Sequence, residues 1–195
     1  MERKAQIVRE TKETAIRVAV NLDRWEPPQV ETNLPLFSHF FSALSFHSGF
    51  SVSLRGDGDV GVDPHHLVED VGIAFGQAIR QSLQESRDIR RFGEVIQPMD
   101  EALVLVAVDI SGRGQFYQGP GFPDRMVGTV MAEVWPEFFH GLARSLGATL
   151  HLRRICGENA HHTYEACFKG TGRALGLALQ RREDGRVPST KGVLA

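Results

Sequence analysis

A short pattern, His-His-x-x-Glu, occurs twice in this chain, as His65-His66-Leu67-Val68-Glu69 and as His161-His162-Thr163-Tyr164-Glu165. Each copy leads into a run with helical periodicity. At about 100° per residue, the first His and the Glu, four apart, share a helix face, and the second His lies on the adjoining face. Two imidazoles and one carboxylate are therefore expected to converge within one turn. Neutral imidazole and carboxylate together suit Mn, Fe or Zn, whereas a site without thiolates argues against an iron–sulfur cluster or structural zinc.

The likeness of the two copies extends beyond the motif. With the first motif histidines aligned, Gly76 falls on Gly172, Ala78 on Ala174 and Ile79 on Leu175. Upstream, after a shift of two residues, His39-Phe40-Phe41 matches Glu137-Phe138-Phe139, Leu44 matches Leu142, Gly49 matches Gly147 and Leu54 matches Leu152. An internal repeat of this kind predicts two similar half-domains, each bringing one motif helix.

Composition bounds the rest. At 195 residues and 42% hydrophobic content the chain can bury a core as one domain or as two closely packed halves. Its 22 basic and 24 acidic residues leave a formal charge of −2, so no global field draws it to nucleic acid or an anionic membrane. Cys156 and Cys167 form no disulfide framework. No apolar run approaches the roughly 20 residues of a membrane span, and the start lacks a signal-like apolar core. A cytoplasmic location is the expectation.

Periodicity predicts two strands between Ala5 and Asp23 around a turn near Glu10 to Lys12, then a break at Pro27 and Pro28. A helix follows from Leu34 to His47, with Phe37, Phe40, Phe41 and Leu44 as its core face, and a strand from Phe50 to Leu54. Arg55 to Asp59 reads as a turn, and its Arg-Gly-Asp triplet as incidental. The first motif helix is expected over His65 to Glu85. The second half restarts at Gly93, with strands from Glu94 to Gln97 and Ala102 to Ile110 and a Gly/Pro loop from Gln115 to Asp124. A helix from Gly128 to Leu146 with a possible kink at Pro136, a strand from Ala148 to Arg153, and a motif helix from Asn159 to Gln180 complete it. The expected fold is α/β (α+β), a two-layer sandwich made of two duplicated half-domains.

The residues resemble the imidazoleglycerol-phosphate dehydratase family over almost the whole chain. The likeness is carried by Arg9-Glu10-Thr11 with Glu13-Thr14, Asn21-Leu22-Asp23, Asp63-x-His65-His66-x-x-Glu69-Asp70 and Arg91-Phe92-Gly93. It continues through Met99-Asp100-Glu101-Ala102, Asp109-x-Ser111-Gly112-Arg113, Gly157-x-Asn159-x-His161-His162-x-x-Glu165-Ala166-x-Phe168-Lys169 and Pro188-Ser189-Thr190-Lys191-Gly192. The resemblance implies one dehydratase domain over 1–195, built of ribosomal protein S5 domain 2-like repeats at approximately 1–90 and 91–195. It further implies trimers assembled into a 24-subunit shell, and two Mn ions per active site shared between neighbouring subunits. By this likeness His39, His65, His66, Glu69, His161, His162 and Glu165 are metal ligands, and Glu137, as repeat partner of His39, replaces a His that many members carry. His140, one turn on, is the rival. Other departures are Ser38, where Asp is common, and Ala43, where Gln is common.

The activity so implied is loss of water from imidazole glycerol phosphate, in histidine biosynthesis. Glu13 would move the proton, with His65, Glu69, His161 and Glu165 at the reacting centre. His47, Arg91, Arg113, Lys169, Ser189, Thr190 and Lys191 would bind substrate, the cations gripping its phosphate. Two alternatives remain: a metal-assembled paralogue without catalysis, or another metal-dependent lyase on the same scaffold.

Overall fold

In the computed structural model, residues 2–83, 88–182 and 188 are described. The first half contains strands β1 (Lys4–Glu10), β2 (Thr14–Asn21) and β3 (Gln29–Thr32), helix α1 (Pro35–Ser48), strand β4 (Ser51–Gly58) and helix α2 (His65–Leu83). The second repeats that order with β5 (Phe92–Met99), β6 (Ala102–Asp109), β7 (Gln115–Gln118), α3 (Trp135–Leu146), β8 (Thr149–Cys156) and α4 (Ala160–Leu179). The sheets have matching topology, β1-β2-β4-β3 and β5-β6-β8-β7. In each, the last pair is parallel and the rest antiparallel. A parallel pair cannot be joined by a hairpin, and α1 and α3 supply the crossovers.

Strict alternation writes the strands. In β2 buried Thr14, Ile16, Val18 and Val20 face the core, and in β6 Ala102, Val104, Val106 and Val108 do the same. Four boundaries differ from the sequence expectation. The Gly/Pro loop contains β7, whose four residues pair with β8 from Gln115 to Gln118. The strand β3 starts directly after Pro28, because an edge strand needs hydrogen bonds on one side only. Strand β4 runs on to Gly58, so Arg55, Gly56 and Asp57 are ladder residues rather than a turn. Helix α3 begins at Trp135 after a single 3-10 turn over Ala132–Val134. Pro136 therefore sits in the first turn of α3, where its missing N–H costs nothing, and kinks no helix.

The helical layers face each other between the two sheets, and they cross over in sequence. Helix α1 of the first half packs on α4 of the second, and α3 of the second packs on α2 of the first. Glycines allow this approach. A Cβ at Gly172 would lie 2.2 Å from the Leu44 carbonyl oxygen, and one at the repeat-related Gly76 would lie 2.7 Å from that of Leu142. Around these crossings Phe37, Phe40, Phe41, Phe75, Phe138, Phe139, Phe168 and Trp135 are all fully buried in one shared core. Edge and stacked ring contacts such as Phe37–Phe138 and Phe40–Phe168 join the halves. Each half is thus a two-layer sandwich, and neither owns the core alone.

Candidate metal centre and active site

The crossing of α1 on α4 builds a cluster from both halves. His39 of α1, His161 and Glu165 of α4 offer ligand atoms that all lie within 4.8 Å of one another. Glu165 Oε2 is 3.2 Å from His161 Nε2 and 3.6 Å from His39 Nε2. The other Glu165 oxygen accepts from Lys169 Nζ at 2.6 Å. Burial raises the Glu165 pKa, but the Lys169 hydrogen bond and the charges of Lys169, His39 and His161 outweigh it, leaving the carboxyl below its ordinary range. A deprotonated carboxylate and two imidazoles, only one of the three buried, form a donor set open to solvent and to a divalent cation. The residues fit such an ion.

The repeat-related set is looser. His65 Nε2 and Glu69 Oε2 are 3.6 Å apart. Glu137 lines the same 420 Å³ cavity as His65, together with Asp63 and Glu133. His140 instead sets its ring edge-on against Phe116 of β7, 4.7 Å between centroids, on the sheet side of α3. The 4.8 Å grouping of three ligands found at His39 is, among the described residues, confined to that cluster.

The second histidine of each motif does not join the first, as convergence within one turn requires. The ring centroids of His65 and His66 are 5.9 Å apart, those of His161 and His162 6.2 Å. One residue of helix rotation swings the second ring towards the sheet edge. There His66 Nδ1 meets both Asp59 oxygens at 3.0 and 3.2 Å, with Glu13 at 4.0 Å. His162 Nδ1 meets Glu101 at 2.7 Å, and its Nε2 lies 3.5 Å from Asp100. The Asp59 hydrogen bond raises the His66 pKa, and the Glu101 hydrogen bond raises that of His162. Reciprocally, the His162 and Asn159 hydrogen bonds hold Glu101 down to about 2.

Local chemistry sets these positions. The Asn159 side chain caps α4, accepting from the backbone N–H groups of His161 and His162. Asp63 does this for α2 through the His65 N–H. The β1–β2 turn carrying Glu13 is tied to α2 by Asp70, which accepts from Thr14 Oγ1 at 2.6 Å and pairs with Arg9 at 2.8 Å.

The candidate substrate residues fall into groups. Arg91 has φ of 76°, unusual for a residue with a side chain. Its guanidinium grips both oxygens of Asp109 and donates to the Pro188 carbonyl. Exposed Arg113 reaches the same Asp109 at 3.7 Å. His47 lines a 490 Å³ cavity with Arg3 and Arg173, and burial, then the charges of Lys169 and Arg173, lower its pKa. Ser189, Thr190 and Lys191 lie outside the described residues. Ser38 pairs its hydroxyl with Thr32 Oγ1 at 2.7 Å, fastening α1 to β3.

Sequence reading passed over Asp59 and Glu101 as partners of the motif histidines. A signal existed: each stands beside a strand end, Asp59 directly after β4 and Glu101 directly before β6.

A duplicated α/β sandwich whose halves jointly present histidine and carboxylate clusters defines a dehydratase scaffold once its relatives are considered. A sequence model described as imidazoleglycerol-phosphate dehydratase matches residues 32–175. The imidazoleglycerol-phosphate dehydratase of Desulfitobacterium hafniense is 49% identical over 195 residues, covering 98% of each chain. A histidine biosynthesis bifunctional protein of Legionella pneumophila is 44% identical over 98% of this chain and 54% of its own length. The crystal structure of the Pyrococcus furiosus enzyme aligns with a TM-score of 0.85 at 41% identity, over 96% of this chain and 100% of that one. The chain belongs to the imidazoleglycerol-phosphate dehydratase family.

Proposed function

We propose that the protein is a Mn-dependent hydro-lyase that converts imidazole glycerol phosphate to imidazole acetol phosphate in histidine biosynthesis. The observation that carries the metal reading is the cluster of His39, His161 and Glu165, brought within 4.8 Å from two different halves. The second ion is assigned to His65, Glu69 and Glu137, and His66 and His162 belong to the same ligand set, the two ions being shared between neighbouring subunits. Glu137 is preferred to His140 because it shares the His65 cavity while His140 packs on Phe116. Ions held by these residues would supply positive charge toward the imidazole ring of the substrate.

The reaction breaks the C–O bond on the carbon attached to the imidazole and removes a proton from the next carbon. The resulting enol, by proton transfer, becomes the ketone, and the hydroxyl leaves as water. Glu13 is suited to move the proton: its backbone is pinned by the Asp59 N–H, and its carboxylate is half exposed. Lys169, beside Glu165, and His47 are assigned to substrate binding, and exposed Arg113 with Arg91 provides charge for the phosphate. Ser189, Thr190 and Lys191 complete the substrate set by resemblance. The reading includes a homo-oligomer of 24 subunits built from trimers in the cytoplasm, with no nucleic-acid or membrane partner. Among the described residues no helix is long and apolar enough to cross a membrane.

The test is to follow ketone formation from imidazole glycerol phosphate by metal-free protein with and without added Mn. Turnover that depends on the ion is expected. Full metal loading without turnover would leave the catalytically inactive paralogue as the reading.

A further inference from the structure

The duplication sets a comparison that the two halves answer differently. Glu13 is the last residue before β2, and Glu101 the last before β6, so they hold corresponding places on their hairpins. Asp59 is the first residue after β4, and Gly157 the first after β8. Each second motif histidine therefore has two neighbouring positions from which a carboxylate could reach its Nδ1. In the first half both positions are acidic, and Asp59 wins, at 3.0 Å against 4.0 Å for Glu13. In the second half one position is Gly157, at φ of 119°, and Glu101 takes Nδ1 itself at 2.7 Å.

We propose that Asp59 and Glu101 are positioning residues that fix the Nδ1–H tautomers of His66 and His162, and that Asp59 thereby frees Glu13 for proton transfer. This rests on the reading of both histidines as metal ligands. A carboxylate accepting from Nδ1–H leaves the lone pair on Nε2, sets the ring plane and makes the ligand more basic. Glu101 is committed twice over, since its other oxygen accepts the Asn159 N–H at 2.9 Å. It has no freedom to carry protons to a substrate. Glu13 occupies the same hairpin position but has only its backbone committed, the Asp59 N–H donating to its carbonyl at 3.1 Å and its own N–H to Thr11 Oγ1 at 3.1 Å. Its side chain is 54% exposed, and among the described residues its ion-pair partner is His66, at 4.0 Å. One hairpin carboxylate holds a ligand in place; the other, relieved of that work by Asp59, stays loose.

The halves should therefore respond differently to loss of the holding carboxylate. Among the described residues, removing Glu101 leaves His162 exposed Asp100 as its ion-pair partner, on the wrong ring nitrogen. Removing Asp59 lets Glu13 close about 1 Å and substitute.

The experiment titrates the metal-free, full-length protein with Mn and reads free ion by electron paramagnetic resonance, with urea midpoints to confirm folding. Glu101→Ala should weaken one ion per chain about 10- to 100-fold. Asp59→Ala should weaken binding less than about threefold while kcat falls at nearly constant KM, because Glu13 is drawn onto His66. Glu13→Ala alone should leave Mn affinity unchanged, and the double variant Asp59→Ala/Glu13→Ala should lose about 10- to 100-fold, far from additive. Unaltered affinity in Glu101→Ala, or additive losses for Asp59 and Glu13, overturns the proposal while leaving the metal reading intact. A wild-type protein that takes up no divalent ion overturns both.

Discussion

The close crossing of α1 on α4 couples stability to the candidate metal cluster, and Gly172→Ala measures that coupling. The new Cβ would sit 2.2 Å from the Leu44 carbonyl oxygen, where ordinary contact begins at 3.4 Å. The obstacle is backbone, so α1 must withdraw from α4 by about 1 Å, at an overpacking cost of about 1–3 kcal/mol. Ala also improves helix propensity by about 1 kcal/mol, so the net destabilisation is roughly 0–2 kcal/mol. The site has no such compensation. His39 rides on α1 and must keep its ligand atom within 4.8 Å of those of His161 and Glu165 on α4, whereas metal–ligand distances tolerate about 0.2 Å. Mn affinity should fall by more than about tenfold, while the urea midpoint of metal-free protein moves modestly. Gly61→Ala, with no atom within 4 Å of the new Cβ, is the control and should change neither. Lost stability with unchanged Mn affinity in Gly172→Ala would refute the claim that this crossing sets the position of His39.

Other expectations follow from single contacts. Burial raises the Asp23 pKa, but hydrogen bonds from the Arg3 side chain and backbone N–H, the Arg3 charge and a hydrogen bond from the Arg181 side chain bring it down to about 2. A depressed carboxylate stabilises the fold above its unfolded pKa of about 3.9 and loses that contribution as pH falls towards about 2. Asp23→Asn should therefore cost about 1–2 kcal/mol in urea unfolding at pH 6, and the gap from wild type should close between about pH 4 and pH 2; a gap independent of pH counts against this. Glu137→Ala should lower Mn affinity more than His140→Ala in the same titration, and the reverse order would move the ligand to His140. Glu69→Gln or Glu165→Gln should weaken metal uptake and the large assembly together. Size-exclusion chromatography with and without a chelator checks this, and an oligomer indifferent to metal removal contradicts it.

Much of this architecture was legible because periodicity and repetition act locally. Alternation marked β2 and β6, and the His-His-x-x-Glu runs marked α2 and α4 to within a few residues. What escaped depended on partners distant in sequence. Gln115 to Gln118 has strand formers in Phe116 and Tyr117, but it sits in a Gly/Pro-rich stretch, and what makes it a strand is pairing with the edge of β8, 34 residues on in sequence. Pro136 looked like a kink because sequence does not reveal which helical turn it occupies; in the first turn it is harmless. The pairing of His66 with Asp59 rather than Glu13 turns on a difference of 1 Å, set by where β4 ends. Helical spacing placed His65 and Glu69 together, but it could not say that the second histidines would be claimed by the sheet edge.

Repetition alone suggests two independent sites, one per half, and the packing contradicts that picture. Because α1 crosses onto α4 and α3 onto α2, the cluster at Glu165 draws His39 from the other half, and the cavity at His65 draws Glu137 likewise. Neither donor set exists until the halves have docked, so under the proposed metal reading the energy of ion binding and the energy of docking are linked through the same aromatic core. The two sets are also chemically unequal. One has two imidazoles and a carboxylate neutralised by Lys169, whereas the other brings one imidazole near Glu69, Glu137, Glu133 and Asp63. The carboxylate-rich set is the harder donor set, and under the proposed reading it should lose the more affinity when a charge is removed. A substitution at Glu137 should therefore change the character of one proposed centre and leave the donor set at Glu165 as it was, an asymmetry within a duplicated frame.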